Sequence, residues 1–232
     1  MWNGKMKAVT FSFDDGVTQD EKMIEIFDKY GLKSTFNLNS GNFGKQDKLI
    51  RNGNEISFNR FTEKEAVKIY RNHEIAVHTV SHPRLTELSD ENVLHEVLDD
   101  KAKLESVFNR EIVGMAYPCG GINNDERVRN LIRKNTGIKY ARTITSTYNF
   151  DLQSDLLEFN PSVYYIEDCL LDVCKKFIDK KADTPQLLYV WGHSFEIDAK
   201  YLSWDTFTEM CKMLSGRDDV FYGTNKEVLL DK

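Results

Sequence analysis

The chain has 232 residues, of which 41% are hydrophobic, and its formal net charge is -6 at pH 7. A chain of this length and composition can bury a sizeable core, and we expect a single domain over residues 1–232. Its acidic balance, without clusters of lysine and arginine, argues against binding to nucleic acid or to an anionic membrane surface.

The N-terminal sequence MWNGKMKAVTF has no apolar leader, and no stretch reaches the roughly 18 uninterrupted apolar residues of a spanning helix. We therefore expect a soluble, cytoplasmic protein. The four cysteines lack the CxxC spacing of metal sites and are too few for a disulfide framework in a chain of this length. They are predicted to be reduced thiols, and the sequence leaves the oligomeric state open.

Eight short segments rich in β-branched and aromatic residues alternate with segments of helical periodicity. In chain order they are KAVTFSF, KSTFNLN, HEIAVHT, EIVGMAY, GIKYART, SVYYI, QLLYVWG and DVFYG. Strands that alternate with helices imply a mostly parallel sheet. Seven or eight such units predict an α/β fold, a single distorted (β/α) barrel with seven strands. An open doubly wound sheet is the alternative.

Two of the intervening helices have recognisable starts. In TQDEKMIEIFDKYG, Thr18 and Glu21 have the spacing of a capping box, and Gly31 is a natural helix end. Ser89 is the predicted cap of a long helix over SDENVLHEVLDDKAKLESVFN. Between the second and third strands, residues 39–61 are polar and rich in turn residues, which predicts an insertion on one face.

Chemically reactive side chains follow four of the predicted strands. Asp14 and Asp15 end the first strand, and HTVSH, from His78 to His82, ends the third. AYPCGG follows the fourth strand, and WGHSFE, which contains His193, follows the seventh. In (β/α) barrels the carboxyl ends of the strands meet at the face that carries the active site. We therefore expect these four strand ends to form one site.

The HTVSH segment has the spacing of a metal site. His78 and His82 are four residues apart, so one helical turn or a tight loop directs both imidazoles the same way. Two histidines and one carboxylate form a facial set for a divalent cation, with open positions for water and substrate. Such a cation also offsets the repulsion between two adjacent carboxylates. His73 and His95 lie in charged contexts, and we expect them at the surface.

The ordered motifs SFDDG, HTVSH, AYPCG and WGHSF resemble those of the polysaccharide deacetylases of carbohydrate esterase family four. The resemblance implies a metal-dependent hydrolase that removes acetyl groups from N-acetylated or O-acetylated carbohydrate. It implies that Asp14 is the general base and that His193 is the general acid. The implied metal ligands are Asp15, His78 and His82. With these ligands zinc is the default cation, and cobalt or nickel would also suit them.

The same resemblance assigns further residues of the motifs. Tyr117 matches the residue whose backbone N–H helps to bind the oxyanion, and Pro118 and Trp191 are implied substrate contacts. The chemistry is consistent with these roles, because amide hydrolysis needs an activated water, a stabilised oxyanion and a proton for the amine leaving group. The implied partner is an acetylated carbohydrate or a small N-acetyl compound.

The chain departs from the family pattern at two places. Ala116 stands where the family commonly has an arginine that pairs with the base, and Cys119 stands where an aromatic residue is usual. Arg142, at the end of the fifth strand, is a candidate replacement for that arginine, and a surface arginine is the alternative. The family's acidic-tryptophan motif is replaced by STYNFDLQSDLLEFNPS, so the group that orients His193 stays open, with Asp151 as a candidate.

Two other functions stay open at this point. One is a barrel that binds carbohydrate without catalysis, and the other is a hydrolase of a small non-sugar amide or ureide, because a fold does not fix a function. Four aromatic residues near predicted loops can form the floor of a sugar site, or can pack in the core: Phe43, Phe58, Phe61 and Tyr148.

Overall fold

The computed structural model describes residues 1–230, and a curled, mostly parallel sheet surrounded by helices forms its centre. The strands are β1 Lys7–Asp14, β2 Ser34–Leu38, β3 Lys48–Arg51, β4 Asn54–Ser57, β5 Glu74–Val77, β6 Gly114–Ala116, β7 Tyr140–Arg142, β8 Val163–Tyr164, β9 Gln186–Gly192 and β10 Val220–Tyr222. The α-helices are α1 Asp20–Lys29, α2 Glu63–Ile69, α3 Asp90–Phe108, α4 Glu126–Asn135, α5 Leu170–Asp179, α6 Phe195–Asp198, α7 Trp204–Leu214 and α8 Asn225–Leu229. Each of the eight predicted strand segments contains a strand.

The order of the strands shows that the sheet winds in one direction. The order is β7-β6-β5-β2-β1-β9-β8, and every neighbouring pair is parallel. Neighbours are therefore successive in the chain from β1 through β2, β5 and β6 to β7, and β9 closes the sheet on the other side of β1, as in a barrel. The segment 159–164 joins the two edges, because Phe159 forms a bridge with Arg142 and β8 pairs with β9. The predicted distorted (β/α) barrel with seven strands is confirmed, and β10 adds a short strand beside β1.

Strand β1 presents a different chemistry to each side of the sheet. The rings of Phe11 and Phe13 pack against Phe27 of α1, with centroids 4.7 and 5.9 Å apart. Burying such a side chain contributes on the order of 2 kcal/mol. The alternate residues Ser12 and Asp14 point into the barrel, where both accept hydrogen bonds from Asn37. The barrel interior is therefore polar below the site, and the apolar core lies between sheet and helices.

Of the two predicted helix caps, the one at Thr18 is wrong and the one at Ser89 is confirmed. The capping box at Thr18 is wrong, because α1 begins at Asp20 without a side-chain cap. The Asp20 carboxylate instead accepts hydrogen bonds from the Tyr70 and Ser194 hydroxyls at 2.6 and 2.5 Å, which ties α1 to the loop after β9. Burial raises the pKa of Asp20 to about 7. Ser89 caps α3 as predicted.

The polar residues 39–61 contain an antiparallel hairpin of β3 and β4 that is separate from the main sheet. The end of this segment returns to the barrel, where Arg60 forms an antiparallel bridge with Val17. The guanidinium of Arg60 donates through Nε to the carbonyl oxygen of Asp15 at 3.1 Å. The segment therefore reaches the end of β1. The assignment of residues 1–232 to a single domain stays a prediction.

Of the two histidines predicted at the surface, one is buried and one is exposed. His73 is buried, with 2% of its surface exposed, and its Nδ1 accepts the N–H of Ser34 at 3.2 Å, so the predicted surface position is wrong. His95 is exposed beside Asp99. The cysteines form no disulfide within residues 1–230. No helix in that range is long and apolar enough to cross a membrane.

Candidate active site

Four strand ends meet at one cavity of about 810 Å³. Asp14 is the last residue of β1, and Asp15 follows it. His78 follows β5 directly, Tyr117 follows β6 directly, and His193 follows β9 directly. Because these strands are parallel, their carboxyl ends lie at the same face of the barrel. The predicted convergence of strand ends is therefore present in the structure.

The side chains of Asp15, His78 and His82 form a cluster whose ligand atoms all lie within 4.8 Å of one another. Nε2 of His82 is 3.6 Å and Nε2 of His78 is 3.9 Å from Oδ1 of Asp15. Nδ1 of His78 lies 2.9 Å from the carbonyl oxygen of Ala116, which can only accept, so Nδ1 carries the proton. Nε2 of His78 then has a free lone pair, and it is buried without a hydrogen-bond partner in the described residues. These donors fit a divalent cation.

Several residues of the site have left-handed backbone conformations. The φ angles of Asp15, His82 and Cys119 are 78°, 64° and 67°. Such conformations cost a non-glycine residue about 1 to 3 kcal/mol and persist only where neighbouring contacts fix them. Arg60 donates to the Asp15 carbonyl, and the backbone N–H of His82 donates to Oγ1 of Thr79 at 3.1 Å. The insertion and the HTVSH loop thus each stabilise one strained ligand.

Asp14 is buried, with 2% of its surface exposed, and has partners on both carboxylate oxygens. Asn37 donates to Oδ1 at 2.7 Å, and Arg142 donates to Oδ2 in a buried ion pair. The Oδ2 atom also lies 3.9 Å from Nε2 of His78 and 3.8 Å from Nε2 of His193. Burial favours a raised pKa for Asp14, but the charges of Arg142, His78 and His193 outweigh it, and the pKa lies below its usual range.

Arg142 is completely buried, so the alternative of a surface arginine is wrong. Strand pairing places it opposite Ala116 on the neighbouring strand, so the guanidinium reaches Asp14 from one strand further along the sheet. Its Nη1 donates to the Thr143 carbonyl at 3.0 Å, and its Cζ lies 4.4 Å from the centre of the Trp191 ring. These contacts fix the orientation of the guanidinium beside the carboxylate.

His193 is oriented by Glu196 and Tyr164, which the sequence reasoning did not identify. Nδ1 of His193 lies 3.3 Å from Oε1 of Glu196 and 3.4 Å from the Tyr164 hydroxyl, which also donates to Glu196. Oε2 of Glu196 accepts the backbone N–H of His193 at 3.1 Å. Burial raises the pKa of Glu196 well above its usual range and lowers the pKa of His193. The segment WGHSFE could have indicated this partner, because Glu196 follows His193 by three residues, a spacing that brings two side chains together in a helical turn.

The backbone before His193 is also constrained. A Cβ atom at Gly192 would lie 2.1 Å from the ring of Tyr165, so no larger residue fits there without displacing that ring. The Tyr165 hydroxyl donates to the carbonyl oxygen of His193 at 2.6 Å. The close approach of glycine and tyrosine therefore fixes the position at which the chain leaves β9.

The oxyanion role predicted for the backbone N–H of Tyr117 is wrong. That N–H donates to the Arg142 carbonyl at 3.0 Å and extends the pairing of β6 with β7. Two residues further on, the N–H of Cys119 makes no backbone hydrogen bond within residues 1–230, and Cys119 lines the cavity. Its Sγ donates to the carbonyl oxygen of His82 at 3.4 Å. Cys119 therefore has an available N–H beside the cavity, as does Gly120.

Two further predicted site residues lie outside the cavity. Asp151 accepts a hydrogen bond from Gln186 at 2.8 Å, at the start of β9, so it lies at the opposite end of that strand from His193. Asp151 therefore does not orient His193. Pro118 is buried and does not line the cavity. Trp191 does line it and stacks on Tyr164, with ring centroids 4.2 Å apart.

The aromatic floor predicted for the site is only partly correct. Phe58 lines the cavity and packs edge-on against Phe195, with centroids 5.1 Å apart. Phe61 is buried in the main core and Phe43 packs against it, while Tyr148 is exposed but does not line the cavity. One wall of the cavity is nevertheless largely apolar, and it is formed by Ile144, Tyr164, Ile166, Trp191, Phe195 and Tyr201.

Comparison with known proteins shows the family and the fold of this chain. The profile of a family described as polysaccharide deacetylase matches residues 3–141, more than half of the chain. The structure is similar to that of the peptidoglycan deacetylase PdaC from Bacillus subtilis, with a TM-score of 0.57 and 17% identity. That match covers 96% of this chain and 90% of the PdaC chain. No curated protein sequence matches at a significant level.

Two other solved structures are similar over a smaller share of their own length. The deacetylase PplD from Streptococcus pyogenes, in complex with acetate, has a TM-score of 0.52 and 23% identity, covering 64% of this chain and 61% of that one. A CE4 family pseudoenzyme from Bacillus anthracis has a TM-score of 0.56 and 18% identity, covering 96% of this chain and 65% of that one. This chain thus spans less than two thirds of each, and at these identities the likeness shows a shared fold.

The two adjacent aspartates can be separated by their effect on metal content. We expect Asp15→Asn to lose bound metal, because it replaces the carboxylate that faces both imidazoles with a neutral amide, whereas Asp14→Asn retains it. His82→Ala should also lose metal while its circular dichroism spectrum stays unchanged. Metal content after dialysis against zinc, measured by inductively coupled plasma mass spectrometry, tests this. Equal metal loss from both aspartate variants would show that Asp14 is a ligand.

Proposed function

This chain belongs to the polysaccharide deacetylase family, and from that membership we propose that it is a metal-dependent hydrolase that removes acetyl groups from N-acetylated carbohydrate. The observation that carries the proposal is the pairing of a buried, ionised Asp14 with Arg142, directly beside the Asp15, His78 and His82 cluster. A base and a set of metal ligands at one cavity are what hydrolysis of an unactivated amide requires.

The metal would be held by Asp15, His78 and His82. A divalent cation bound there would polarise the acetyl carbonyl and make an attacking water more acidic. Zinc is the proposed ion, because two imidazole nitrogens and one carboxylate oxygen suit it, and the same donors also suit cobalt or nickel. The Nδ1–H of His78 donates to the carbonyl oxygen of Ala116, which orients its ring toward Asp15.

Asp14 is the proposed general base. Its Oδ2 lies near the rings of His78 and His193, at the bottom of the cavity, and it stays ionised because Arg142 pairs with it. In the reaction the water oxygen bonds to the acetyl carbon while Asp14 takes one water proton. The backbone N–H of Cys119 is the proposed donor to the resulting oxyanion, since it lies beside the cavity without a backbone partner.

His193 is the proposed general acid. Its Nε2 lies 3.8 Å from Asp14, and its other nitrogen faces Glu196 and Tyr164, which fix the ring. As the C–N bond breaks, His193 gives its proton to the nitrogen of the sugar, so that acetate and a free amine leave. Glu196 acts as a positioning residue, because its Oε1 lies 3.3 Å from Nδ1 of His193 and its Oε2 accepts the backbone N–H of the same residue.

The presence of every chemical group favours catalysis over mere binding of carbohydrate. A pseudoenzyme shares this fold. In this chain, however, the base, the three ligands and the acid all line one cavity, and the buried Arg142 pairs with the base. Such a combination of perturbed titratable groups in a cleft is typical of an active site.

Acetate release tests the proposed function. The purified protein, loaded with zinc, cobalt or nickel in parallel, is incubated with chitin oligosaccharides, peptidoglycan fragments, acetylxylan and small N-acetyl compounds. We expect acetate from at least one acetylated carbohydrate, and none after the metal is removed with a chelator. The Asp14→Asn protein is the matched control, because it should keep its metal and lose turnover. Release from non-sugar amides alone would favour the other hydrolase, and no release from any substrate would contradict the proposal.

Arg142 gives a prediction on pH dependence. The arginine lowers the pKa of Asp14, so Arg142→Ala should raise that pKa. A base works only when ionised, and activity is lost as the pH falls through its pKa. The acidic limb of the pH–rate profile should therefore move to higher pH, and kcat should fall on the order of tenfold to a hundredfold. Metal content should be unchanged, and an unmoved acidic limb with full kcat would remove Arg142 from the mechanism.

A further inference from the structure

The insertion forms a positively charged wall of the cavity, although the chain as a whole is acidic. Lys45, Arg51 and Arg60 all line the cavity. No ion pair to any of them is found within residues 1–230, whereas Lys48 on the same hairpin pairs with Glu55 at 2.7 Å. The three cations therefore form no ion pair in the described residues, although the charges of Asp15, Asp20 and Asp47 act on Arg60.

The balance of charge on this wall is positive. Its one carboxylate is Asp47, which is exposed and accepts the N–H of Lys48 at 2.7 Å. Lys45 donates to the side-chain oxygen of Asn42 at 2.8 Å, a neutral partner that leaves its charge uncompensated. Cations that face a cavity without forming an ion pair attract an anion to it.

Arg60 is the fixed member of the three. It is 8% exposed, its Nη1 donates to the Phe58 carbonyl at 2.6 Å, and its Cζ lies 3.5 Å from the centre of the Phe58 ring. Its Nε is occupied by the Asp15 carbonyl, and its Nη2 has no hydrogen bond within the described part of the chain. A guanidinium held in one orientation, with an unused donor, is suited to bind an oxyanion of a ligand.

The lining contributed by the strand ends has a different character. Trp191 and Tyr164 line the cavity there together with two isoleucines, and these surfaces suit the apolar face of a sugar ring and the acetyl methyl group. A neutral sugar would use this wall but would leave the three cations without partners. The asymmetry therefore indicates a ligand with one apolar face and one negative end.

We propose that the acetylated carbohydrate substrate carries an anionic substituent, a carboxylate or a phosphate, which binds to Lys45, Arg51 and Arg60. This inference rests on the deacetylase function proposed above and narrows its substrate class. Lys45 and Arg51 are exposed and attract the anion, and Arg60 orients it. The insertion is then the element that selects the substrate, while the strand ends carry the chemistry.

The test compares three substrates that differ in one substituent: neutral N-acetylglucosamine, its 6-phosphate, and N-acetylmuramic acid, which carries a carboxylate. We expect the zinc-loaded protein to release acetate with a kcat/KM at least about tenfold higher for one or both anionic compounds. A preference for the phosphate alone, or for the carboxylate alone, identifies the substituent. Equal values, or a preference for the neutral sugar, would overturn the inference while the proposed function stands. No acetate from any of the three, nor from the wider set above, would contradict the function itself.

Variants of the hairpin separate this effect from general electrostatics. Lys45→Gln should reduce the preference for the anionic substrate about tenfold, mainly through KM, because Lys45 contacts none of the reacting groups. Lys48→Gln is the matched control, since it removes one positive charge from the same hairpin but outside the cavity, and it should keep the wild-type preference. Loss of preference in both variants, or in neither, would overturn the inference.

Discussion

The buried ion pair between Asp14 and Arg142 is the interaction on which the site depends. Asp14 has another carboxylate next to it in sequence and almost no contact with solvent, so its ionised form needs a fixed positive partner. Removing one member of such a buried pair costs about 3 to 5 kcal/mol, since the other charge is left unpaired. The curvature of the sheet is what allows Arg142 on β7 to reach Asp14 on β1 through the barrel interior.

The two aspartates have different partners because adjacent residues point in different directions. Asp14 continues the inward face of β1 and meets Arg142 and Asn37. Asp15 turns away with a left-handed backbone and faces the two histidines, and Arg60 of the insertion stabilises that turn. The insertion therefore has two roles. It stabilises the backbone of Asp15, a proposed metal ligand, and it forms the charged wall of the cavity.

The sequence predicted the features that depend on local pattern. The strands followed from β-branched and aromatic runs, and the order of strands and helices predicted a barrel. Contacts that depend on the pairing between strands could not be predicted from the local pattern, because the sequence does not give the register of the strands. Only the register of β6 with β7 reveals that Arg142 lies opposite Ala116, and the same pairing occupies the N–H of Tyr117. The predicted surface position of His73 was wrong, because the charged residues near it in sequence do not reveal the tertiary packing that buries it.

The residue that orients His193 was also not identified from the sequence pattern. Asp151 was considered because its segment replaces a family motif, but that segment crosses the far end of β9. The position of Glu196 could have been read from the sequence, because it follows His193 by three residues. The first turn of α6 brings the two side chains together.

Anomalous diffraction from crystals grown with zinc, recorded above and below the zinc absorption edge, tests where the metal binds. We predict one anomalous peak, within bonding distance of Asp15, His78 and His82, while Asp14 stays paired with Arg142. A peak bonded to Asp14, or the absence of a peak at the cluster, would contradict this prediction.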